Sequence, residues 1–346
     1  MPSCPSPDFS HVDRVGYLFG YPIAHSFSPS IHRAVYETLG LNWAQLPLPS
    51  TDMEHFLELI KHPQFYGESR RTRDMPTVYR KPFIVSTVQE MWTSILIQLL
   101  TGASVTMPHK VAIFEHLDEL TPQGRDVGAC NTIFLREEAG RRIYCGTNTD
   151  VNGVLEAFHR NVTSPTTTLH NRPGMVIGGG GAARSAVYVL KKFMHCPVVY
   201  LVNRDAAEVE AVMSWCTQQH YGDGLRYVST AADAELLDAP GAVVACIPNL
   251  PPATPAELEV RNIIDAVLAK DRKGALLEMC YHPSPRTDIG ALAEMHGWQV
   301  ILGTEALIWQ GVEQDRYWTG REVGEEGVER VKAVVAKLLA GEGPHL

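Results

Sequence analysis

Residues Gly174–Leu190, GMVIGGGGAARSAVYVL, form a short apolar run, a glycine-rich turn and an amphipathic helical segment, in that order. Gly178, Gly180 and Ala183 fit the spacing G-x-G-x-x-G/A. The first glycine permits a tight turn, the second lets the backbone approach a pyrophosphate, and the small third residue lets helix and strand pack closely. Amides at the helix N-terminus then hold the phosphates. A tight turn without a ligand is the alternative, but the strand–turn–helix context favours a dinucleotide site.

A candidate ribose-binding acid, Asp205, follows the next apolar run, Val198–Val202. Its carboxylate can accept a hydrogen bond from the 2′-hydroxyl of NAD, whereas it would repel the 2′-phosphate of NADP. Glu208 adds negative charge, so NAD is predicted and NADP is disfavoured. Asn203 and Arg204 belong to the same cofactor end, where Arg204 can stack on adenine. The alternative is that Asp205 only caps the helix that follows it.

On both sides of this unit, apolar runs alternate with amphipathic segments. Strands are predicted over Val15–Phe19, Trp43–Leu48, Met175–Ile177, Val198–Val202, Ala242–Ile247, Ala275–Met279 and Gln299–Leu302. Helices are predicted over Ser30–Leu39, Met53–Ile60, Val151–Phe158, Ala183–Phe193, Ala206–Cys216 and Gly327–Ala340. Such alternation is typical of parallel sheets covered by helices on both faces. The predicted fold class is therefore α/β.

The composition is that of an ordinary globular protein, with 45% hydrophobic and 20% charged residues among 346. This length fits two domains. The net charge of −9 argues against a nucleic-acid-binding surface, which needs clustered Lys and Arg. Polar side chains repeatedly interrupt the most apolar stretch, Phe83–Leu100, so no membrane-spanning helix and no membrane partner are predicted.

The seven cysteines are odd in number and include no CxxC pair, which favours a reducing compartment and no structural zinc. The 14 histidines form no HExxH motif, so no metal site is predicted, and His25, His32 and His109 are interpreted as structural or rim residues. The N-terminus has no basic start followed by an apolar core. We therefore expect no signal peptide and a cytoplasmic location.

Three polar segments lie outside the glycine-rich turn and could bind a substrate. The first contains Ser26 and Ser28, and Ser28 before a proline is predicted to cap a helix. Two hydroxyls beside a helix N-terminus could also hold a small polyhydroxy acid. The second segment ends in Lys110, which could equally be solvated surface. The third ends in Asp150, which could equally be a helix-cap acid.

Seven motifs together point to a family. GYPIAHSFSPSIH, SVTMPHK, GACNTI, GTNTD, GGGGAAR, EMCYHPSPRT and LGTEALIWQG occur in this order. The series resembles the shikimate/quinate dehydrogenase family over about Val15–Gly320, and stand-alone quinate/shikimate dehydrogenases of fungi are the most similar members. The chain departs from the family pattern at Ser104, which is usually Asn, and at Glu278, which is usually Asp. Asp205 and Glu208 stand where members that use NADP carry Thr and Arg, which independently supports NAD.

The resemblance implies two α/β domains with a cleft between them. Residues 1–149 would form the substrate-binding and catalytic domain, and residues 150–302 a Rossmann-type NAD(P)-binding domain. Residues 303–346 would form C-terminal helices that return to the substrate domain. No oligomeric state is indicated.

The resemblance also assigns roles to single residues. Lys110 and Asp150 match the catalytic pair, in which a desolvated lysine takes a proton and the aspartate orients it. The substrate-binding positions are Ser26, Ser28, Thr106, Asn131, Asp150, Tyr281 and Gln310. The cofactor-binding positions are Gly178, Gly180, Gly181, Ala182, Ala183, Asn203, Arg204, Asp205 and Gly303.

The implied function is the NAD-dependent, reversible oxidation of quinate or shikimate, or both, to the 3-dehydro acid. The partner is then a small-molecule substrate. The alternative is a non-catalytic regulator that senses the same acids. The presence of both Lys110 and Asp150 favours the enzyme. Another Rossmann oxidoreductase, such as a folate dehydrogenase, is disfavoured by the paired serines.

One segment, Glu68–Gly102, has no counterpart in the family pattern. Deleting it joins Gly67 to Ala103 and restores an uninterrupted family-like run into Lys110. We interpret it as a translated, retained intron, because its ends can be encoded by GT and AG splice signals. Sequencing the gene and transcript tests this. The alternatives are a tolerated loop, which would be unusually long, and a genuine insertion with a partner-binding helix at Val85–Leu100. A protein that carries it could be inactive.

Overall fold

The computed structural model of the chain describes residues 12–61 and 102–341. They form two six-stranded sheets, each with helices packed against it. The predicted intron and its helix at Val85–Leu100 lie outside the described residues, except for Gly102. This glycine is the first residue of a strand. Within the described ranges, no helix is long and apolar enough to cross a membrane.

The first sheet is mixed. Its strands are β1 (Arg14–Gly20), β2 (Trp43–Pro49), β3 (Gly102–Val105), β4 (Glu119–Leu120), β5 (Thr132–Glu138) and β6 (Arg141–Thr147), in the order β2-β1-β3-β5-β6-β4. Its helices are α1 (Ser28–Thr38), α2 (Met53–Lys61), α3 (Pro122–Val127) and a 3₁₀ helix (Ala112–His116). The expectation of parallel strands is wrong for β5, which pairs antiparallel with both β3 and β6. Ala139 and Gly140, with φ of 49° and 77°, form the two-residue turn of the β5–β6 hairpin.

The second sheet is entirely parallel. Its strands are β7 (Gly174–Ile177), β8 (Val199–Val202), β9 (Leu225–Tyr227), β10 (Ala242–Ala245), β11 (Ala275–Glu278) and β12 (Gln299–Leu302). The order β12-β11-β10-β7-β8-β9 is that of doubly wound nucleotide-binding sheets. Ligands of such sheets bind at the carboxyl ends of the strands, where the order reverses. Here that point lies between β7 and β10.

The other helices cover the second sheet, connect the two sheets or, in the case of the last one, pack on α1. They are α4 (Asp150–Asn161), α5 (Pro165–Thr168), α6 (Gly181–Lys192), α7 (Ala206–Gln218), α8 (Ala231–Glu235), α9 (Pro255–Leu268), α10 (Asp288–Met295), α11 (Gly303–Thr319) and α12 (Gly324–Leu339). Helix α11 begins against the second sheet, where Ala306 is part of the core. It ends on the first sheet, where the indole of Trp318 donates to the carbonyl of Ile133 at 3.0 Å. One helix therefore holds both sheets in place around the space between them.

The predicted strands and helices within the described residues are present, with ends shifted by at most three residues, but one local prediction is wrong. Ser28 does not cap α1, because α1 begins at Ser28 itself and follows Phe27 without a side-chain cap. The Ser28 hydroxyl points instead toward Gln45 and His32. Ser28 is 3% exposed, so both of these contacts are shielded from solvent.

Candidate active site

Lys110 and Asp150 meet in the space between the two sheets. Lys110 lies in the loop after β3, and Asp150 is the first residue of α4. The Lys110 Nζ and Asp150 Oδ2 atoms are 2.5 Å apart, and the two side chains are 18% and 8% exposed. The ion pair is therefore shielded from solvent, and its geometry resembles that of a charge-assisted hydrogen bond.

The side-chain amide of Asn131 fixes the other oxygen of Asp150. The backbone amide of Thr149 donates to Asn131 Oδ1 at 2.8 Å, which decides the orientation of the amide. Asn131 Nδ2 then donates to Asp150 Oδ1 at 2.9 Å and to Gln310 Oε1 at 3.1 Å. Three of the predicted substrate-binding residues, Asn131, Asp150 and Gln310, thus lie within one set of hydrogen bonds.

Ser26 and Tyr281 form a second wall of the cleft, from opposite sheets. The Ser26 Oγ accepts a hydrogen bond from the backbone amide of Ser28 at 3.3 Å. The hydroxyls of Tyr281 and Ser26 are also hydrogen-bonded, and burial raises the pKa of Tyr281. The Tyr281 ring lies 5.3 Å from the ring of Phe27. Thr106 is half-buried at the end of β3, with its amide bonded to the carbonyl of Phe19.

The three histidines noted in the sequence take different positions. His25 stacks on His282 at 3.9 Å across the cleft, and burial together with His282 lowers the pKa of His25. His109 stacks on Phe19 at 4.3 Å and is buried. His32 is fully buried below Ser28. Among the described residues, no group of three or more histidine, cysteine or acidic side chains could hold a metal ion.

The glycine-rich turn offers room for a dinucleotide. Gly178 has a φ of 127°, a conformation that glycine adopts readily. A Cβ atom added to Gly180 would meet nothing within 4 Å, and helix α6 begins at the next residue, Gly181. Ala183 is buried in the core of the second sheet, while Ala182 lies beside it in the first turn. These features fit a pyrophosphate bound at the N-terminus of α6.

The glycine-rich turn also contacts Lys110. A Cβ atom added to Gly181 would lie 3.2 Å from the Cβ and Cδ atoms of Lys110. The candidate catalytic residue of one sheet is thus packed on the candidate cofactor loop of the other. Gly303 lies at the start of α11, where an added Cβ would come within 2.5 Å of the carbonyl oxygens of Glu278 and Met279.

The end of β8 is strongly acidic. Asp205 caps α7 as the alternative interpretation expected, with Oδ1 accepting from the amide of Ala207 at 2.8 Å. A carboxylate can accept further bonds, so the cap leaves the ribose role open to test. Glu208 Oε2 accepts from Asn203 Nδ2 at 2.6 Å. The Arg204 guanidinium forms an ion pair with Glu257.

Sequence reasoning gave no role to several buried polar residues beside the site. Glu278, at the end of β11, is 1% exposed, and burial raises its pKa to about 7. It accepts from Thr287 Oγ1 at 2.6 Å and from the amide of Cys280 at 3.1 Å. Behind Asn131, a buried chain of polar side chains leads through Gln314 to His32 and Asp315. The contacts of this chain join residues far apart in sequence, so no motif spacing signals them, whereas Glu278, Cys280 and Thr287 lie within one motif.

Two α/β units, one with the doubly wound strand order, define a two-domain protein with a substrate-binding N-terminal domain and a Rossmann domain. The family model described as shikimate dehydrogenase substrate binding domain matches residues 18–69 and 63–133. Quinate dehydrogenase of Emericella nidulans is 42% identical over 337 residues, covering 95% of each chain. The chain belongs to the shikimate/quinate dehydrogenase family.

Solved structures agree on the fold. The dehydroquinate dehydratase and shikimate dehydrogenase from S. pombe AroM superposes with a TM-score of 0.64 at 27% identity, covering 92% of this chain and 53% of that one. Quinate dehydrogenase from Corynebacterium glutamicum in complex with NAD superposes with a TM-score of 0.68 at 18% identity, covering 94% and 99%. This second likeness shows the fold alone.

Proposed function

We propose that the protein is an NAD-dependent dehydrogenase that reversibly oxidises quinate or shikimate, or both, to the 3-dehydro acid. The observation that carries this proposal is the shielded Lys110–Asp150 pair packed against the glycine-rich turn. The quinate dehydrogenase relative at 42% identity supports the class of substrate.

The oxidation removes a hydride and a proton from a ring CH–OH group. When bound, NAD supplies the acceptor for the hydride. In the oxidation direction, Lys110 Nζ in its unprotonated form takes the hydroxyl proton while the hydride leaves the same carbon, so that the C–OH group becomes a ketone; in the reverse direction Nζ returns the proton. Asp150 orients Nζ through Oδ2, and Asn131 holds Asp150 through Oδ1. These fixed bonds place the reacting hydroxyl, and such positioning supplies much of the rate of an enzyme.

The remaining side chains would orient the substrate. Gln310 and Asn131 surround Asp150 and would hold the ring hydroxyls next to the reacting one. Ser26 and Ser28, on the wall formed with Tyr281, would hold the carboxylate. Thr106 would contact the ring from the end of β3.

The second sheet would hold the cofactor. Residues 178–183 would hold the pyrophosphate, and the end of β8 the adenosine. Asp205 and Glu208 favour NAD, because both carboxylates would repel a 2′-phosphate. We propose the domain division at residues 149 and 302, with the last segment returning to the substrate domain. Helix α11 supports this, because it starts on the second sheet and ends on the first.

An absorbance assay of cofactor reduction tests the function, with both acids and both cofactors. We expect turnover with NAD and at least one acid. Lys110→Ala should lower kcat by roughly 100-fold or more and leave NAD binding intact, because only the proton acceptor is removed. Lys337→Ala, at an exposed position on α12, is the matched control. Retained turnover in Lys110→Ala would exclude Lys110 from the mechanism. Binding of quinate without any turnover would favour a sensing regulator instead.

A further inference from the structure

A continuous chain of buried hydrogen bonds runs behind the candidate site, from the backbone of Asn131 to His32. It crosses α11, β3, β2 and α1, and each of its members is 6% exposed or less. The side chains in order are Gln314, Ser104, Gln45, Ser28 and His32. Since each serine hydroxyl has a single hydrogen, the direction of every bond can be deduced from one fixed end.

The carbonyl of Asn131 is that fixed end, because a carbonyl oxygen only accepts. Gln314 Nε2 donates to it at 3.1 Å and to Thr132 Oγ1 at 2.9 Å. Gln314 Oε1 therefore faces Ser104 and accepts its hydroxyl hydrogen at 3.1 Å. Ser104 has no second hydrogen, so it must accept from Gln45 Nε2, which lies 2.7 Å away.

The directions of the next two hydrogen bonds, through Gln45 and Ser28 to His32, follow in the same way. With Nε2 of Gln45 turned to Ser104, its Oε1 faces Ser28 and accepts the Ser28 hydrogen at 3.2 Å. His32 Nε2 lies 3.1 Å from Ser28 Oγ, which has no hydrogen left to give. The Nε2 nitrogen must therefore carry a hydrogen and donate it to Ser28.

Asp315 occupies the other side of the His32 ring. His32 Nδ1 is 2.9 Å from both Asp315 oxygens, and both residues are buried. Burial raises the pKa of Asp315, while His32 and the hydrogen-bonded Tyr36 hydroxyl oppose that rise. Because Nε2 already carries a hydrogen, one more proton is shared between Nδ1 and the carboxylate. This shared proton lies on the Nδ1 side of the ring, so Nε2 keeps its hydrogen whether the shared proton is on Nδ1 or on the carboxylate.

We propose that the His32–Asp315 pair positions Ser28 as a hydrogen-bond donor toward the substrate carboxylate, a role that rests on the function proposed above. His32 fills an acceptor site of Ser28, so the Ser28 hydrogen can turn only to Gln45 or to an acceptor in the cleft. The 3.2 Å contact with Gln45 is long for a bond between oxygens. The substrate carboxylate can accept a shorter, charge-assisted hydrogen bond from the Ser28 hydroxyl, which replaces the bond from Ser28 to Gln45.

The proton placement is tested on the unaltered protein. The full chain is labelled with ¹⁵N-histidine, and long-range ¹H–¹⁵N correlations report which ring nitrogens carry hydrogen. The His32 signals are identified by their loss in a His32 variant. We expect a protonated Nε2. A hydrogen-free Nε2 would overturn the proposal, whether or not the protein turns over substrate.

Two substitutions of His32 test separately the contact of Nδ1 with Asp315 and the contact of Nε2 with Ser28. In His32→Asn the amide nitrogen takes the place of Nδ1, which keeps the contact with Asp315 and removes the donor to Ser28. In His32→Gln it takes the place of Nε2, which keeps the donor. We expect His32→Asn to raise KM for quinate or shikimate by about tenfold with little change in kcat, and His32→Gln to stay closer to the wild type.

The methyl ester of quinate is the matched ligand, because it lacks the anionic carboxylate. The increase in KM caused by His32→Asn should be much smaller with this ester than with quinate. Equal KM values for the two variants, or a fall in kcat alone, would count against the positioning role, and thermal unfolding checks that both variants fold. Failure of the wild type to oxidise either acid is a failure of the proposed function. In that case the dissociation constant of quinate, measured by calorimetry, replaces KM.

Discussion

At the scale of single residues, the buried carboxyl of Glu278 makes stability depend on pH. Its pKa rises from 4.5 to about 7 in the folded protein because burial disfavours the charged form. The unfolded chain loses this proton near pH 4.5, so the free energy of unfolding falls as the pH rises from about 4.5 to about 7. Glu278→Gln keeps a neutral side chain throughout.

The Gln variant should therefore be more stable than the wild type at pH 8, by about 1–3 kcal/mol, and the difference should shrink at pH 5. Urea unfolding of both proteins at the two pH values measures it. Exposed Glu235→Gln is the control and should show no such trend. A difference between Glu278→Gln and the wild type that is equal at both pH values would mean that Glu278 is already ionised in the fold.

Glu208 is a second residue whose charge can be tested. An added Cβ on Gly179 would lie 2.7 Å from Glu208 Oε2, so this carboxylate lies directly on the glycine-rich turn. Glu208→Ala should shift the ratio of kcat/KM for NAD over NADP toward NADP by about tenfold, because a repulsion of the 2′-phosphate is removed. Glu210→Ala, exposed on the same helix, is the matched control. An unchanged ratio in Glu208→Ala would leave the cofactor preference to Asp205.

Some residues of the site could be predicted from the sequence and others could not. Lys110 and Asp150 lie in short motifs, so their meeting could be expected from family resemblance, although their roles stay a proposal. His32 and Asp315 are 283 positions apart, and they meet only because α11 packs on α1. No local spacing carries that information.

At the scale of elements, five of the six strands of the second sheet were predictable because each is a short apolar run between turn residues. Strand β9, which has Arg226 at its centre, was not predicted. The β5–β6 hairpin was not predicted either. Its turn and the adjoining strand residues are exposed, from Glu137 to Arg141, so the apolar pattern breaks down there. The turn places Ala139 at a positive φ, which alanine seldom adopts, so the usual Asn-Gly or Asp-Gly signal is missing.

The contact between α4 and α11 is the element-scale feature that positions the site. A Cβ atom added to Gly153 of α4 would lie 2.5 Å from the carbonyl of Ala306 and 3.1 Å from Cβ of Gln310. Gly153→Ala should push the helices apart and lower the free energy of unfolding by about 1–3 kcal/mol. Because Asp150 and Gln310 lie on these helices, kcat/KM should fall too.

Urea unfolding and steady-state kinetics measure both effects. The matched control is Gly290→Ala in α10, where an added Cβ would lie 3.3 Å from Thr287 Oγ1 and 3.7 Å from Val300 Cγ1. That site has nearly enough room, so stability should change little. Equal effects of the two substitutions would mean that helix propensity, and not the close packing of α4 on α11, decides the outcome.

At the scale of the whole molecule, the two sheets are folded units joined through α4 and α11, and the site needs both. Lys110 comes from the loop after β3, and its approach to the glycine-rich turn depends on how β3 is placed. The first residue of β3, Gly102, has no room for a side chain. An added Cβ would lie 1.8 Å from the carbonyl of Ile133 and 2.2 Å from Nε1 of Trp318.

Deletion of residues 68–102 joins Gly67 to Ala103 and so supplies a glycine at this restricted position. We expect the shortened protein to have a higher melting temperature and a higher kcat/KM with NAD and quinate or shikimate, because a long connection before β3 is removed. The same deletion with Gly67→Ala is the matched control. It should lose both gains, because the alanine Cβ would collide with Ile133 and Trp318. If the deletion with Gly67 intact leaves activity equal or lower, residues 68–102 are a genuine element of this enzyme and the retained-intron interpretation is wrong.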